Sequence, residues 1–89
     1  MKVSGFQWDD GNWPKCAKHG VSKEEIEFIF RNTPSVMMDP YPFEKRVRAI
    51  GRNELGRYIF VVFSLRDKKI RPISARYMHI KEIEHYEQA

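Results

Sequence analysis

At 89 residues and 10.7 kDa, the chain has material for one small domain, residues 1–89, built round one modest core. Hydrophobic residues at 42% and aromatics at 13% exceed what a disordered chain carries, and no apolar run reaches the ~18 residues of a membrane span. Cys16 is the only cysteine, which excludes an internal disulfide and a cysteine-ligated zinc. Residues Met1–Phe6 lack the apolar stretch of a secretory signal, so a cytoplasmic setting is expected.

The net charge of +4 conceals a segregation. Between Lys45 and Arg76, ten basic residues stand against Glu54 and Asp67 alone, whereas the segments before and after carry excess acid. A basic centre with acidic flanks suggests a polyanion-binding face. Solvated strand edges that discourage aggregation are the plainer alternative.

Phe6-Gln7-Trp8 alternates like a short strand and is ended by Asp9-Asp10-Gly11-Asn12. Asn12 is expected to cap a first helix with Pro14 in its first turn. That helix would carry Lys15, Lys18 and His19 and close on a left-handed Gly20. Ser22-Lys23-Glu24-Glu25 matches a capping box, and Val21 and Ile26 stand at the positions of a hydrophobic staple. Ile26, Ile29 and Phe30 then form the apolar stripe of a second helix, stopped at Asn32-Thr33-Pro34.

Ser35–Met38 reads as a short strand that the prolines of Asp39-Pro40-Tyr41-Pro42 terminate. From Arg46 to Gly51 the alternation puts Val47 and Ala49 on one side, Arg46 and Arg48 on the other. After the hairpin-length loop Arg52–Arg57, Tyr58–Leu65 is apolar at seven of eight positions, the pattern of a central strand buried on both faces. Arg66-Asp67-Lys68-Lys69 supplies a turn and Ile70–Tyr77 returns as its partner, with Pro72 marking an edge or an irregularity. Ile80, Ile83 and Tyr86 share one face of a final helix over His79–Gln88. The expected class is α+β: a small antiparallel sheet with two N-terminal helices and one C-terminal helix.

No Gly-rich phosphate loop, GxSxG elbow or HExxH motif is present, and His19, His79 and His85 lack metal-ligand spacing. Neither a metal nor a cofactor is expected. The chemistry that remains is cationic. Cleaving RNA without a metal needs one group to take the 2′-hydroxyl proton and another to protonate the leaving 5′-oxygen. It also needs cations round the phosphorane, where negative charge grows. Lys15, Lys18, His19, Arg46, Arg66, Arg71, Arg76, Glu82 and Tyr86 fall on strand and helix ends and include such groups. Each also has a plain role: Tyr86 packing on the sheet, Glu82 pairing with Arg76 or Arg71, His19 capping a helix. Composition permits the chemistry without selecting it.

Phe6-Gln7-Trp8-Asp9, Lys18-His19-Gly20-Val21-Ser22 with Glu25, Arg46 with Ile50-Gly51-Arg52, and Ile73-Ser74-Ala75-Arg76 with Glu82 and Tyr86 keep a common order. Together, from about Phe6 to Tyr86, they resemble the BrnT family of bacterial type II toxins. Gly56-Arg57 ahead of an apolar strand, then Arg66, Ile70 and Arg71, extend the match. The resemblance implies a RelE-like fold and a ribonuclease that arrests translation. It also implies a cognate antitoxin with a DNA-binding domain, expected to be of ribbon-helix-helix type, that forms a hetero-oligomer with the toxin. On this reading Arg76, Arg71, His19 and Lys18 are the catalytic candidates, and Lys15, Arg46, Arg48 and Arg66 bind RNA. Glu82, Tyr86 and Ser74 hold those groups in place. Pro72 stands where the family commonly has a β-branched residue. A non-catalytic nucleic-acid or protein-binding module on the same scaffold is the alternative, and it predicts salt-sensitive binding without strand cleavage.

Overall fold

The computed structural model describes residues 4–88; Met1–Val3, on which part of the signal-sequence expectation rests, lie outside the described residues, as does Ala89. Four strands, β1 (Ser35–Met38), β2 (Val47–Arg52), β3 (Tyr58–Arg66) and β4 (Lys69–Tyr77), form an antiparallel meander in the order β1-β2-β3-β4. A helix α1 (Lys23–Arg31) precedes the sheet and a helix α2 (Ile80–Gln88) follows it.

The capping box forms as its sequence dictates. Ser22 Oγ accepts from the Glu25 amide at 3.1 Å, and Glu25 Oε1 accepts from the Ser22 amide at 3.0 Å. With its entry fixed, α1 turns Ile26 and Ile29 onto one face of the sheet. There they meet Ala49, Ile59, Val61, Phe63 and Ala75, all buried, while Val21, Cys16 and Ile70 complete the core. Phe30 and Phe63 meet edge-to-face with ring centroids 4.9 Å apart. Helix and sheet are close enough that a Cβ on Gly51 would lie 2.8 Å from Ile29 Cβ.

Two hairpins order the meander. In the first, Asn53 Oδ1 accepts from the amides of Leu55 and Arg57. In the second, Asp67 and Lys68 both adopt positive φ, the backbone of a two-residue turn whose twist suits the flanking strands. Pro72 does both things its chemistry allows. It sits on an edge strand, and the β3–β4 register shifts beside it, leaving Ile73 without a partner between Pro72 and Ser74.

Several expectations need correction. The first of the two N-terminal helices is a 3-10 turn of five residues, Lys15–His19, so only one α-helix precedes the sheet. Asn12 does not cap it. Its side chain points inward, with Oδ1 accepting from the Asp9 amide and Nδ2 donating to the carbonyls of Gln7 and Pro72. The segment is thereby stitched to β4 and cannot wind freely. Phe6 makes a single parallel bridge to Ile70 in place of a strand. Strand β3 is interior to the sheet but continuously buried on one face only: Tyr58, Phe60 and Val62 on the other face are half-buried, with Ser64 alone buried there, and towards the strand's end Leu65 is exposed. Finally, α2 buries no residue, and Ile80, taken as part of its packing stripe, is 72% exposed.

Candidate functional site

The face of the sheet opposite α1 collects the arginines. Strand register places Arg48, Ile50 and Arg52 beside Val62, Phe60 and Tyr58, and these beside Ser74 and Arg76. Ser64 pairs with Arg71 on the same face. Alternation therefore delivers basic side chains from β2 and β4 over a strip of β3 that is aromatic or small.

At one end of this face, Arg76 and Arg48 flank the Phe60 ring, with guanidinium carbons 4.9 Å and 5.8 Å from its centroid. Arg76 donates from both terminal nitrogens to Glu82, at 2.7 and 2.8 Å, the planar fork meeting a carboxylate edge-on. Glu82 Oε1 also accepts from the His79 amide at 2.9 Å, so the same side chain ties the first turn of α2 to β4. Arg76 and the His79 amide together pull the Glu82 carboxyl down to about 2 from the ordinary 4.5. Arg48 Nε donates to Asp39 at 2.8 Å, and this bond holds the Asp39 carboxyl below its ordinary range.

Beyond Phe60, the carboxyl-terminal part of α2 is fastened to the sheet by polar and aromatic edges. Tyr86 and Tyr58 meet edge-to-face at 5.8 Å, the Tyr86 and Ser35 hydroxyls bond each other, and Tyr58 Oη donates to Glu87.

At the other end lies a concavity of about 260 Å³ lined by Lys15, Arg46, Arg66 and Arg71 together with Ser64 and Glu44. Arg71 is held by a two-pronged bond to Asp9, at 2.7 and 3.0 Å, and by Gln7 Oε1 at 3.1 Å. The guanidinium in turn lowers the Asp9 carboxyl. Arg46 Nε donates to Glu44 at 2.8 Å and the guanidinium lies 3.9 Å from the Tyr41 ring centroid. Lys15 and Arg66 have no ion pair among the described residues.

The residues singled out in the sequence thus separate into two groups. Lys15, Arg46, Arg66 and Arg71 share the concavity, while Arg48, Arg76 and Glu82 gather round Phe60. Ser74 is exposed beside Val62, and Tyr86 is in the α2 contact. Lys18 and His19 are exposed in the 3-10 turn and, among the described residues, make no side-chain hydrogen bond to either group. Sequence reasoning missed Asp9, Gln7, Asp39, Phe60 and Ser64. The acidic partners carry no local signal, since Asp9 lies 62 positions from Arg71. Ser64 did carry one, as the single polar residue in the apolar run Tyr58–Leu65.

Among the described residues, no three His, Cys, Asp or Glu side chains gather as a metal site requires, and no helix is long and apolar enough to cross a membrane. A protein-family model described as a ribonuclease toxin, BrnT, of type II toxin-antitoxin systems matches residues 8–82, a span that contains both groups of arginines. No curated protein sequence matches the chain.

Proposed function

The chain belongs to the BrnT family of ribonuclease toxins of type II toxin–antitoxin systems, and we propose that it is a metal-independent endoribonuclease that arrests translation in the cytoplasm. The observation that carries this reading is the Arg76 fork. In the proposed reaction the RNA 2′-oxygen bonds to phosphorus as the bond from phosphorus to the 5′-oxygen breaks. One proton leaves the 2′-hydroxyl and one reaches the departing oxygen. Negative charge gathers on the non-bridging oxygens in between, where a fixed guanidinium stabilises it most.

Glu82 engages one N–H of each Arg76 terminal nitrogen, which leaves three donors of the five for a phosphate. A carboxyl held near 2 is too weak a base to take the 2′-proton at neutral pH, so Glu82 orients Arg76. Lys18 and His19 are assigned here as the proton carriers on the resemblance in the motif Lys18-His19-Gly20 alone. Tyr86 and Ser74 line the approach. Neutralisation falls to a cognate antitoxin with a ribbon-helix-helix DNA-binding domain, in a hetero-oligomer with this chain.

Incubating the purified protein with mRNA in EDTA tests the reading. Fragmentation of the RNA is expected, together with its loss in Arg76→Ala and in Arg76→Lys, which keeps the charge but not the fork. Intact RNA after prolonged incubation of antitoxin-free protein refutes cleavage. RNA retained without cleavage identifies a binding module.

A further inference from the structure

Ser64 is 7% exposed, and its Oγ has no hydrogen-bond partner among the described residues. Leaving a buried hydroxyl unpaired costs about 1–3 kcal/mol, so the position calls for an explanation. Ser64 is among the residues that line the concavity with Lys15, Arg46, Arg66 and Arg71. Among the described residues, the ion pairs of these four cations are with Glu44 and Asp9 only, so the positive charge is in excess. A donor without an acceptor at the base of a cationic hollow is complementary to an oxyanion.

We propose that this concavity is a phosphate subsite, in which Ser64 Oγ–H donates to a non-bridging oxygen of a backbone phosphodiester while Arg66 and Lys15 supply charge from its rim. The proposal rests on the RNA reading above and extends it to a second phosphate. Ser64 and Arg71 are paired four residues along β3 from the pairing of Phe60 with Arg76. At the rise of a strand the two sites lie roughly 13 Å apart on one face. That span suits an extended strand with one phosphate at Arg76 and another, a few nucleotides away, over Ser64. Glu44 marks the entrance, because a phosphate that reaches Arg46 must displace it from that guanidinium.

The test uses an uncleavable 2′-deoxy oligonucleotide and the full chain. Ser64→Ala removes an unpaired hydroxyl, so its thermal unfolding in the absence of ligand is expected at the wild-type temperature or above. The same change is expected to weaken oligonucleotide binding about tenfold, the worth of one hydrogen bond to a charged group. Arg66→Ala is expected to flatten the salt dependence by about one phosphate contact. Unchanged affinity in Ser64→Ala, or unchanged salt dependence in Arg66→Ala, overturns the subsite. Oligonucleotides with 5′-phosphate and 5′-hydroxyl ends should bind alike; dependence on the terminal phosphate overturns the assignment to an internal diester. If the wild-type protein cleaves no RNA, the enzymatic reading falls by itself. Inorganic phosphate then decides the subsite: amide shifts at Ser64 and Arg66 in an NMR titration support it, and their absence overturns it.

Discussion

Glu82→Gln keeps the shape of the side chain and removes its charge, which isolates the Arg76–Glu82 pair. Lowering a carboxyl from 4.5 to about 2 corresponds nominally to about 3 kcal/mol of folding stability. The two side chains are 35% and 36% exposed, however, and water screens such a pair, which reduces the expected contribution to about 1 kcal/mol. For a domain of this size that is a fall of roughly 4–8 °C in unfolding temperature at neutral pH. Because the carboxyl is depressed in the folded state, its stabilisation is complete above 4.5 and disappears as pH falls through about 2. The gap between wild type and Glu82→Gln in thermal unfolding followed by circular dichroism should therefore close as pH drops through that window. Asp9, Glu25 and Asp39 are also lowered, but they weaken both proteins equally and cancel in the difference. A gap that stays constant down to about pH 2, or no gap at neutral pH, refutes the assignment.

Gly51→Ala would press a methyl against Ile29, 2.8 Å from its Cβ; overpacking of this kind costs about 1–3 kcal/mol and should lower the urea midpoint with an unchanged slope. Asn12→Ala removes the donor to the Pro72 and Gln7 carbonyls. A loss of about 1–3 kcal/mol is expected, with faster hydrogen exchange in the segment that carries Gln7 and Asp9. Salt titration of oligonucleotide binding should count only cations without an internal partner. A paired arginine that exchanges a carboxylate for a phosphate leaves that carboxylate to recruit a cation, so its net ion release is near zero. Of the six cations round the concavity and Phe60, the unpaired Lys15 and Arg66 contribute about −1.4 to the log–log slope, against about −4 if Arg46, Arg48, Arg71 and Arg76 also counted.

Where a local rule and a local partner coincide, the sequence is readable. The capping box at Ser22, the meander from Ser35 to Tyr77 and the irregularity at Pro72 all arise from neighbours in the chain or on the adjacent strand. Reading fails where a distant partner outbids the near one. Asn12 is a good helix cap by composition, yet its amide is claimed by the Pro72 carbonyl sixty positions away. An apolar β3 reads as buried twice over because hydropathy does not register that guanidinium groups can cover an aromatic face, as Arg48 and Arg76 do at Phe60. The stripe of α2 misleads in a similar way: polar bonds from Glu82, Tyr86 and Glu87 hold the helix down while Ile80 faces outward.

The charge segregation along the chain acquires a physical meaning once those partners are known. The basic centre supplies Arg46, Arg48, Arg52, Arg71 and Arg76, and the acidic flanks supply Glu44, Asp39, Glu87, Asp9 and Glu82, one carboxylate to each. Arginines arrayed on one sheet face would repel each other and wander among rotamers if left alone. Anchoring each to an acidic residue from outside β2–β4 fixes its direction and removes most of that repulsion. The excess of basic residues is therefore a poor measure of attraction for RNA. What the pairing provides is aim, since a guanidinium already held in plane meets a phosphate at a lower entropic cost than a free one. Attraction over distance is left to the unpaired cations, of which Arg66 and Lys15 border the hollow at Ser64. Orientation and attraction are thus assigned to different side chains.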